Sequence, residues 1–222
     1  MLAPGQPRLS GLGACTRCPR LAGFLSENRA RHPDYFCLPV PPFGDTTPRL
    51  LVVGLAPGLH GANRTGRPFT GDYAGELLYD ALHRFGWSTG PRSLHAEDGL
   101  RLAGCRITNA VKCVPPANKP VSAEIRNCNS WLTQELAALM PGAAILALGR
   151  IAHDAVLLGL GLKPSAASFA HGARASLPGG LTLFDSYHCS RYNLNTRRLN
   201  PEMFLAVLER VQQHLARPAI IP

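Results

Sequence analysis

The sequence holds 222 residues, 45% of them hydrophobic and 17% charged; this excludes a disordered or fibrous chain and leads us to expect one domain spanning residues 1–222. Its 23 Lys+Arg against 14 Asp+Glu give a formal net charge of +9, an excess that draws polyanions and speeds encounters with them. No apolar run is long enough to cross a bilayer, and Met1 to Gly13 lacks the basic start and apolar stretch of a secretory signal, so no membrane partner is expected and a cytoplasmic location is the default.

The stretch to about Thr47 is rich in Pro, Gly and Arg and carries Cys15 and Cys18. Leu50 to Val53 is a continuous apolar run that reads as a strand, ending in Gly54 and a glycine-rich loop. Tyr73 to Phe85 has Leu77, Leu78, Ala81, Leu82 and Phe85 on one helical face. Arg106 to Val111 is a second strand, stopped by Pro115 and Pro116. Ser122 can cap a helix with the stripe Ile125, Cys128, Leu132, Leu136 and Leu139, closed by Pro141-Gly142. Ala144 to Leu148 is a third strand and Ile151 to Leu160 a helix. Leu181 to Phe184 begins a fourth strand leading into Ser186-Tyr187-His188, and Pro201 to Leu215 is a closing helix. This alternation predicts an α/β fold with a central, mainly parallel four-stranded sheet covered on both faces, a core of about 15–214 and short flexible termini. Ligands of such sheets sit beyond the carboxyl ends of the strands. The loops that start at Gly54, Lys112 and His188 follow strand ends and are expected to converge there.

Seven cysteines without a secretory signal point to metal ligation before disulfides. Cys15-Thr16-Arg17-Cys18 is a C-x-x-C pair, and Cys113 and Cys128 complete a four-thiolate set suited to tetrahedral zinc or to an iron–sulfur cluster. One close pair plus two distant singles is not a zinc-ribbon spacing, and Cys18-Pro19 fits a cluster context. On the residues alone, Cys128 also reads as a small buried hydrophobe, and Cys15 with Cys18 as a redox pair. Cys37, Cys105 and Cys189 look like spares.

The segment Gly54 to Asp72 (GLAPGLHGANRTGRPFTGD) lets backbone N–H groups approach a ligand closely. It is neither a Walker A loop nor the G-x-G-x-x-G fingerprint, which disfavours a nucleotide cofactor. Arg64 and Arg67 can reach phosphates, and Phe69 offers a flat face for stacking a base, with core packing as the plain alternative. Asp72 stands where a helix N-cap would stand.

Three stretches together carry a resemblance. Gly54-Leu55-Ala56-Pro57-Gly58 with His60 to Arg67 resembles motif 1 of the family 5 (type b) uracil-DNA glycosylases. Val111 to Pro120 is similar to that family's segment around its third cluster cysteine, and Ser186 to Arg191 to its motif 2. The match runs in order from about Cys15 to Val211. It implies an α/β/α sandwich and a [4Fe-4S] cluster held by Cys15, Cys18, Cys113 and Cys128. It also implies Phe69 as the stacking residue, Asp72, Asn118 and His188 around base and sugar, and double-stranded DNA carrying uracil or other deaminated bases as substrate. There are departures: Leu55 replaces a polar residue of family 4, Cys189 stands where Pro is common, and Asn109 stands where family 5 often has a small residue.

A monofunctional glycosylase needs negative charge or dipoles near the sugar and donors near the departing base. Asp72 is assigned to the sugar side and His188 to a carbonyl oxygen of the base. Asn109 and Asn118 are rival readers of the base edge, with Gly54 and Ala56 beside it. Arg64, Arg67, Ser190, Arg191 and Tyr192 are candidates for the DNA backbone or a wedge into the stack. The protein is expected to be a monomer, associated with the nucleoid in a prokaryote. Rival readings are a family 4-like, strictly uracil-specific glycosylase, a non-catalytic DNA-binding module stiffened by zinc, and an electron-transfer protein.

Overall fold

The computed structural model describes residues 9–216; the expectation of flexible termini falls mainly on residues 1–8 and 217–222, outside the described residues. In chain order the elements are α1 (Pro19–Arg31), β1 (Phe43–Gly44), β2 (Leu50–Gly54), α2 (Ala62–Thr65), α3 (Tyr73–Arg84), β3 (Cys105–Asn109), α4 (Ser122–Ala137), β4 (Ala144–Leu148), α5 (Arg150–Gly159), β5 (Arg174–Leu177), β6 (Leu181–Ser186), α6 (Arg191–Asn195) and α7 (Pro201–Ala216). Among the described residues no helix is long and apolar enough to cross a membrane.

Among the described residues the sheet has six strands in the order β1-β3-β2-β4-β6-β5, which corrects the expected four. The four read from the sequence are the parallel centre, β3-β2-β4-β6. The two additions are antiparallel edges, β1 on β3 and β5 on β6. β1 is two residues long, and β5 is mostly outside the core. Neither carries the apolar run of a strand buried on both faces, so neither announces itself.

Alternate residues of the central strands feed two cores. Leu50, Val52, Ile107, Leu146 and Phe184 pack with Leu78, Ala81 and Leu82 of α3 and Phe204, Val207 and Leu208 of α7. Leu51, Val53, Ile145, Ala147 and Leu183 pack with Leu132 and Leu136 of α4 and Ala152 and Val156 of α5. A third cluster lies under α1, where Leu21 and Leu25 meet Val111, Val114, Cys113, Cys128 and Trp131. The helix α1 has Pro19 in its first turn, a favoured place for proline, but only a narrow apolar strip, which hides it from a periodicity reading. The cap of α4 falls on Val121 instead of Ser122, and the Glu124 carboxylate accepts the Val121 N–H at 2.8 Å.

The switch in strand order falls beside β2, whose neighbours are β3 on one side and β4 on the other. Under that point lies a buried ionic group. Lys112 Nζ donates to Glu135 Oε2 at 2.6 Å, and Arg106 Nε lies 3.9 Å from Glu135 Oε1, all three side chains being 3% exposed or less. Thr108 Oγ1 donates to the same carboxylate at 3.1 Å. One carboxylate thus holds two buried cations and ties α4 to β3. Glu135→Gln removes the carboxylate that Lys112 bonds and leaves Arg106 with Asp45 as its remaining acidic neighbour, and is expected to cost about 3–5 kcal/mol of stability in urea denaturation; a loss below about 1 kcal/mol would show that the cations are compensated elsewhere.

Candidate active site

The end of β2 has room for no side chain. A Cβ on Gly54 would lie 2.5 Å from Asn109 Oδ1 and 2.6 Å from two ring carbons of Phe69. The glycine therefore lets an aromatic ring and an amide meet at the carboxyl edge of the sheet. Phe69 itself has φ 54, a left-handed backbone that a bulky residue adopts only under constraint. The constraint is visible: the Phe69 carbonyl lies where a side chain on Gly75 would begin, 1.9 Å from its ideal Cβ, and Tyr79 Oη donates to the Pro68 carbonyl at 2.9 Å.

Arg67 belongs to this framework and not to a DNA surface. It is 6% exposed, donates to Asp98 Oδ1 at 2.6 Å and Ser93 Oγ at 2.9 Å, and its guanidinium lies 4.3 Å from the centroid of the Phe43 ring. The expectation that it reaches phosphates is corrected, because its charge is already paired in the interior with Asp98, from a later segment of the chain. Arg64 is exposed, with Nε donating to the His60 carbonyl. It lines a second groove with Tyr73, Arg92, Leu94 and Arg191, and Asp72, Tyr73 and Arg191 also line the main cleft.

That cleft is about 620 Å³. Leu55, Ala56 and Gly58 beyond β2, Asn109 and Asn118 beyond β3, Leu148 to Ile151 at β4, and Tyr187, His188, Ser190 and Arg191 beyond β6 all line it, together with Phe69 and Asp72. Every central strand contributes, as the switch-point rule for open α/β sheets requires. Gly54 sits behind the lining, and Tyr192, 72% exposed on α6, stands outside it.

Asp72 caps α3, its Oδ1 accepting the Gly75 N–H at 2.9 Å. Its Oδ2 lies over Gly61, where a Cβ would approach to 2.4 Å. Burial pushes the carboxyl pKa up, against the lowering effect of the Gly75 and Ala74 N–H groups. The His188 ring stacks on Phe69 with centroids 5.8 Å apart and planes at 25°. Burial drives its pKa down to about 4, so at neutral pH the ring is an uncharged imidazole with one N–H to give. Asn109 is 3% exposed, and its Oδ1 is buried with no hydrogen-bond partner among the described residues. A buried amide oxygen left unpaired at a cleft costs free energy that an incoming donor recovers. Asn118 is exposed at the rim with φ 55, following Ala117 at φ 53. Beyond the motifs, the cleft is walled by Phe169, and Arg198 lies 4.6 Å from the Tyr187 ring centroid. Phe169 gave no sequence signal, since it is one aromatic in a segment without periodicity.

Cys15, Cys18, Cys113 and Cys128 line one small cavity with Arg17, Lys112, Asn127 and Trp131. All four are free. The Lys112 backbone N–H donates to Cys128 Sγ at 3.2 Å, and Asn127 Nδ2 reaches Cys18 Sγ at 3.8 Å. Burial, then the neighbouring thiols, push Cys113 up to about 12, and burial raises Cys128 and Cys18 as well. Trp131 Nε1 is buried without an acceptor among the described residues. Among the described residues, no three of His, Cys, Asp or Glu close around a single metal ion. Cys37, Cys105 and Cys189 are buried elsewhere.

Compared with known proteins, residues 41–212 match the family model described as the uracil DNA glycosylase superfamily. The chain is 52% identical over 202 residues to a type-5 uracil-DNA glycosylase of Thermus thermophilus, covering 89% of this chain and 92% of that protein. It is 45% identical to a type-5 uracil-DNA glycosylase of Pyrobaculum aerophilum, covering 88% and 87%. A type-4 uracil-DNA glycosylase of the same organism is 37% identical over 53% of each chain.

The depressed His188 pKa has a consequence for stability. An unfolded imidazole takes its proton near 6.5, while the folded ring stays neutral to about 4. The unfolded chain therefore binds the extra proton first as pH falls. The contribution is whole above about 6.5 and is lost on the way down to about 4. His188→Gln is expected to flatten the fall in urea-unfolding free energy across that window. Asp72 acts in the opposite sense in both proteins, so their difference isolates the imidazole. Parallel curves for the two would show a solvated ring.

Proposed function

The chain belongs to the uracil DNA glycosylase superfamily, and on that premise we propose that it extrudes uracil and other deaminated bases from double-stranded DNA and hydrolyses the N-glycosidic bond, leaving an abasic site. The observation that carries this reading is that Phe69 and Asp72 of the glycine-rich loop, Asn109 at the end of β3 and His188 beyond β6 line one cleft.

In the reaction the C1′–N bond breaks, its electron pair leaves with the base, the oxygen of water bonds to C1′, and the proton that this water loses ends on the departed base anion. The base stacks on Phe69, and the unpaired Asn109 oxygen accepts an N–H from its edge. The neutral His188 donates to a base carbonyl, where negative charge grows as the bond lengthens. A neutral donor suits this role, since it needs no prior protonation near pH 7. The Asp72 carboxylate, with Oδ1 held by the cap, faces the positive charge developing on the sugar or orients the water. Asn118 belongs to the sugar side in this reading. Extruding the nucleotide costs a few kcal/mol, less for a lesion that pairs poorly. The exposed Tyr192 fills the vacated stack, and Ser190, Arg191 and Arg64 meet the phosphates.

The four cysteines fit a [4Fe-4S] cluster: free thiols share one cavity, two N–H groups point at sulfur, and the Trp131 N–H lacks an acceptor. Such a group would supply a cross-link between the Cys15–Cys18 segment, the exit of β3 and α4, with no part in bond cleavage. In this reading the protein works as a single-domain monomer in the cytoplasm at the nucleoid.

Cleavage of duplexes carrying uracil, hypoxanthine, xanthine or only normal bases, followed by alkali and gel analysis, tests the function. Release from uracil and from at least one deaminated purine is expected. Strict uracil specificity would remove the broader substrate set, and no release at all would sink the reading. Asp72→Asn is expected to slow single-turnover release by about 10²-fold or more with duplex affinity retained; an unchanged rate removes Asp72 from the chemistry. Cys113→Ser is expected to purify with iron and sulfide depleted, and full retention of both would exclude Cys113 as a ligand.

A further inference from the structure

Between α5 and β5 the chain has no regular element beyond the single turn Pro164–Ala166. It is nonetheless gripped on either side of Phe169 by one buried pair. His153 of α5 and Asp185 of β6 are 1% and 2% exposed, and His153 Nδ1 lies 2.9 Å from both carboxylate oxygens. On one side of Phe169, His153 Nε2 donates to the Ala167 carbonyl at 3.1 Å. On the other, the Ala170 backbone N–H donates to the Asp185 carboxyl. The Phe169 ring meets the His153 ring edge-on at 5.7 Å and tilts against Tyr187 at 6.2 Å. Tyr187 is backed in turn by His171, stacked at 5.1 Å and accepting the Tyr187 N–H at 3.2 Å. Phe169 and Tyr187 both line the cleft.

We infer that Phe169 is a specificity-determining wall of the base pocket and that the His153–Asp185 pair is the device that positions it. The inference rests on reading the cleft as a base pocket. A buried polar pair is weak as a source of stability, since a well-packed apolar pair does as well. Its use here is geometric: with both flanking backbone groups bonded to one rigid unit, the ring cannot swing away from the cleft. The width left between Phe169 and the Phe69–His188 stack then decides how closely a one-ring base is gripped and whether a two-ring base is admitted. Wall contacts of this size discriminate by about 10–200-fold.

The test is the ratio of single-turnover release from hypoxanthine duplex to that from uracil duplex, with KM and maximal rate resolved for each. Phe169→Ala is expected to raise the ratio about tenfold or more, chiefly because uracil loses its wall, and Phe169→Leu to restore part of the wild-type value. His153→Gln can still bond Asp185 but cannot also reach Ala167. It is expected to move the ratio the same way by less, and to add nothing further in the Phe169→Ala background. An unchanged ratio in Phe169→Ala, including no hypoxanthine release with wild-type uracil release, overturns the wall assignment. A His153→Gln variant that lowers every rate equally overturns the positioning role. Should His153→Gln fail to fold, the two Phe169 variants still decide the wall. Wild-type protein that releases no base sinks the proposed function instead.

Discussion

At the end of β2 the Gly54 backbone touches the Phe69 ring and the Asn109 amide, with space for not one further carbon atom. The same device recurs twice within twenty-one residues. Gly75 gives way to the Phe69 carbonyl, and Gly61 to the Asp72 carboxylate. Each glycine lets a functional side chain or its backbone lie against the main chain, and each would expel that group if it gained a Cβ. The site is thus built by subtraction. Its cost is the left-handed backbone of Phe69, about 1–3 kcal/mol for such a conformation, and the surrounding loop is fixed firmly enough to bear it. Arg67 supplies much of that fixity by tying the loop to Ser93, Asp98 and the Phe43 face.

Arg67 also shows what a sequence can and cannot reveal. The loop's glycines were legible as a close-approach segment after an apolar strand, whereas Phe69 read equally as core packing and Asp72 as a helix cap until the family resemblance gave each a role. The direction in which an arginine points was not legible, since its partner Asp98 lies thirty-one residues on, in a stretch without pattern. The four central strands were legible because burial on both faces makes them apolar throughout. The edge strands β1 and β5 were not, being short or half-exposed. Phe169 was invisible for a similar reason: what places it is a hydrogen-bonded pair on α5 and β6, and pairing across that distance leaves no local trace.

Charge is distributed unevenly between the buried ionic group and the cleft. Below the switch point Arg106 and Lys112 share a single carboxylate, and Asp45, across from Arg106, is the other acidic group acting on it. The Lys112 backbone N–H meanwhile reaches Cys128. A cavity of four crowded thiols becomes anionic when they bind a metal centre, and a buried ammonium one residue from Cys113 favours that state. The cleft has the opposite character. There burial keeps His188 neutral and holds the Asp72 carboxyl above its ordinary range, so neither group carries a strongly stabilised charge before a substrate arrives.

The two regions are joined by very little chain. Beyond Asn109 the β3 ladder continues as two backbone bonds, Ala110 N–H to the Gly54 carbonyl at 2.9 Å and Val111 N–H to the Leu55 carbonyl at 3.0 Å. Lys112 and Cys113 follow at once. The same few residues therefore set the end of β2, the position of the Asn109 amide and one corner of the cysteine cavity. A backbone shift at Cys113 has no flexible segment in which to dissipate before it reaches Gly54, where the tolerance is a fraction of a carbon radius. The corner of the cysteine cavity and the floor of the cleft are thus fixed by the same short run of backbone.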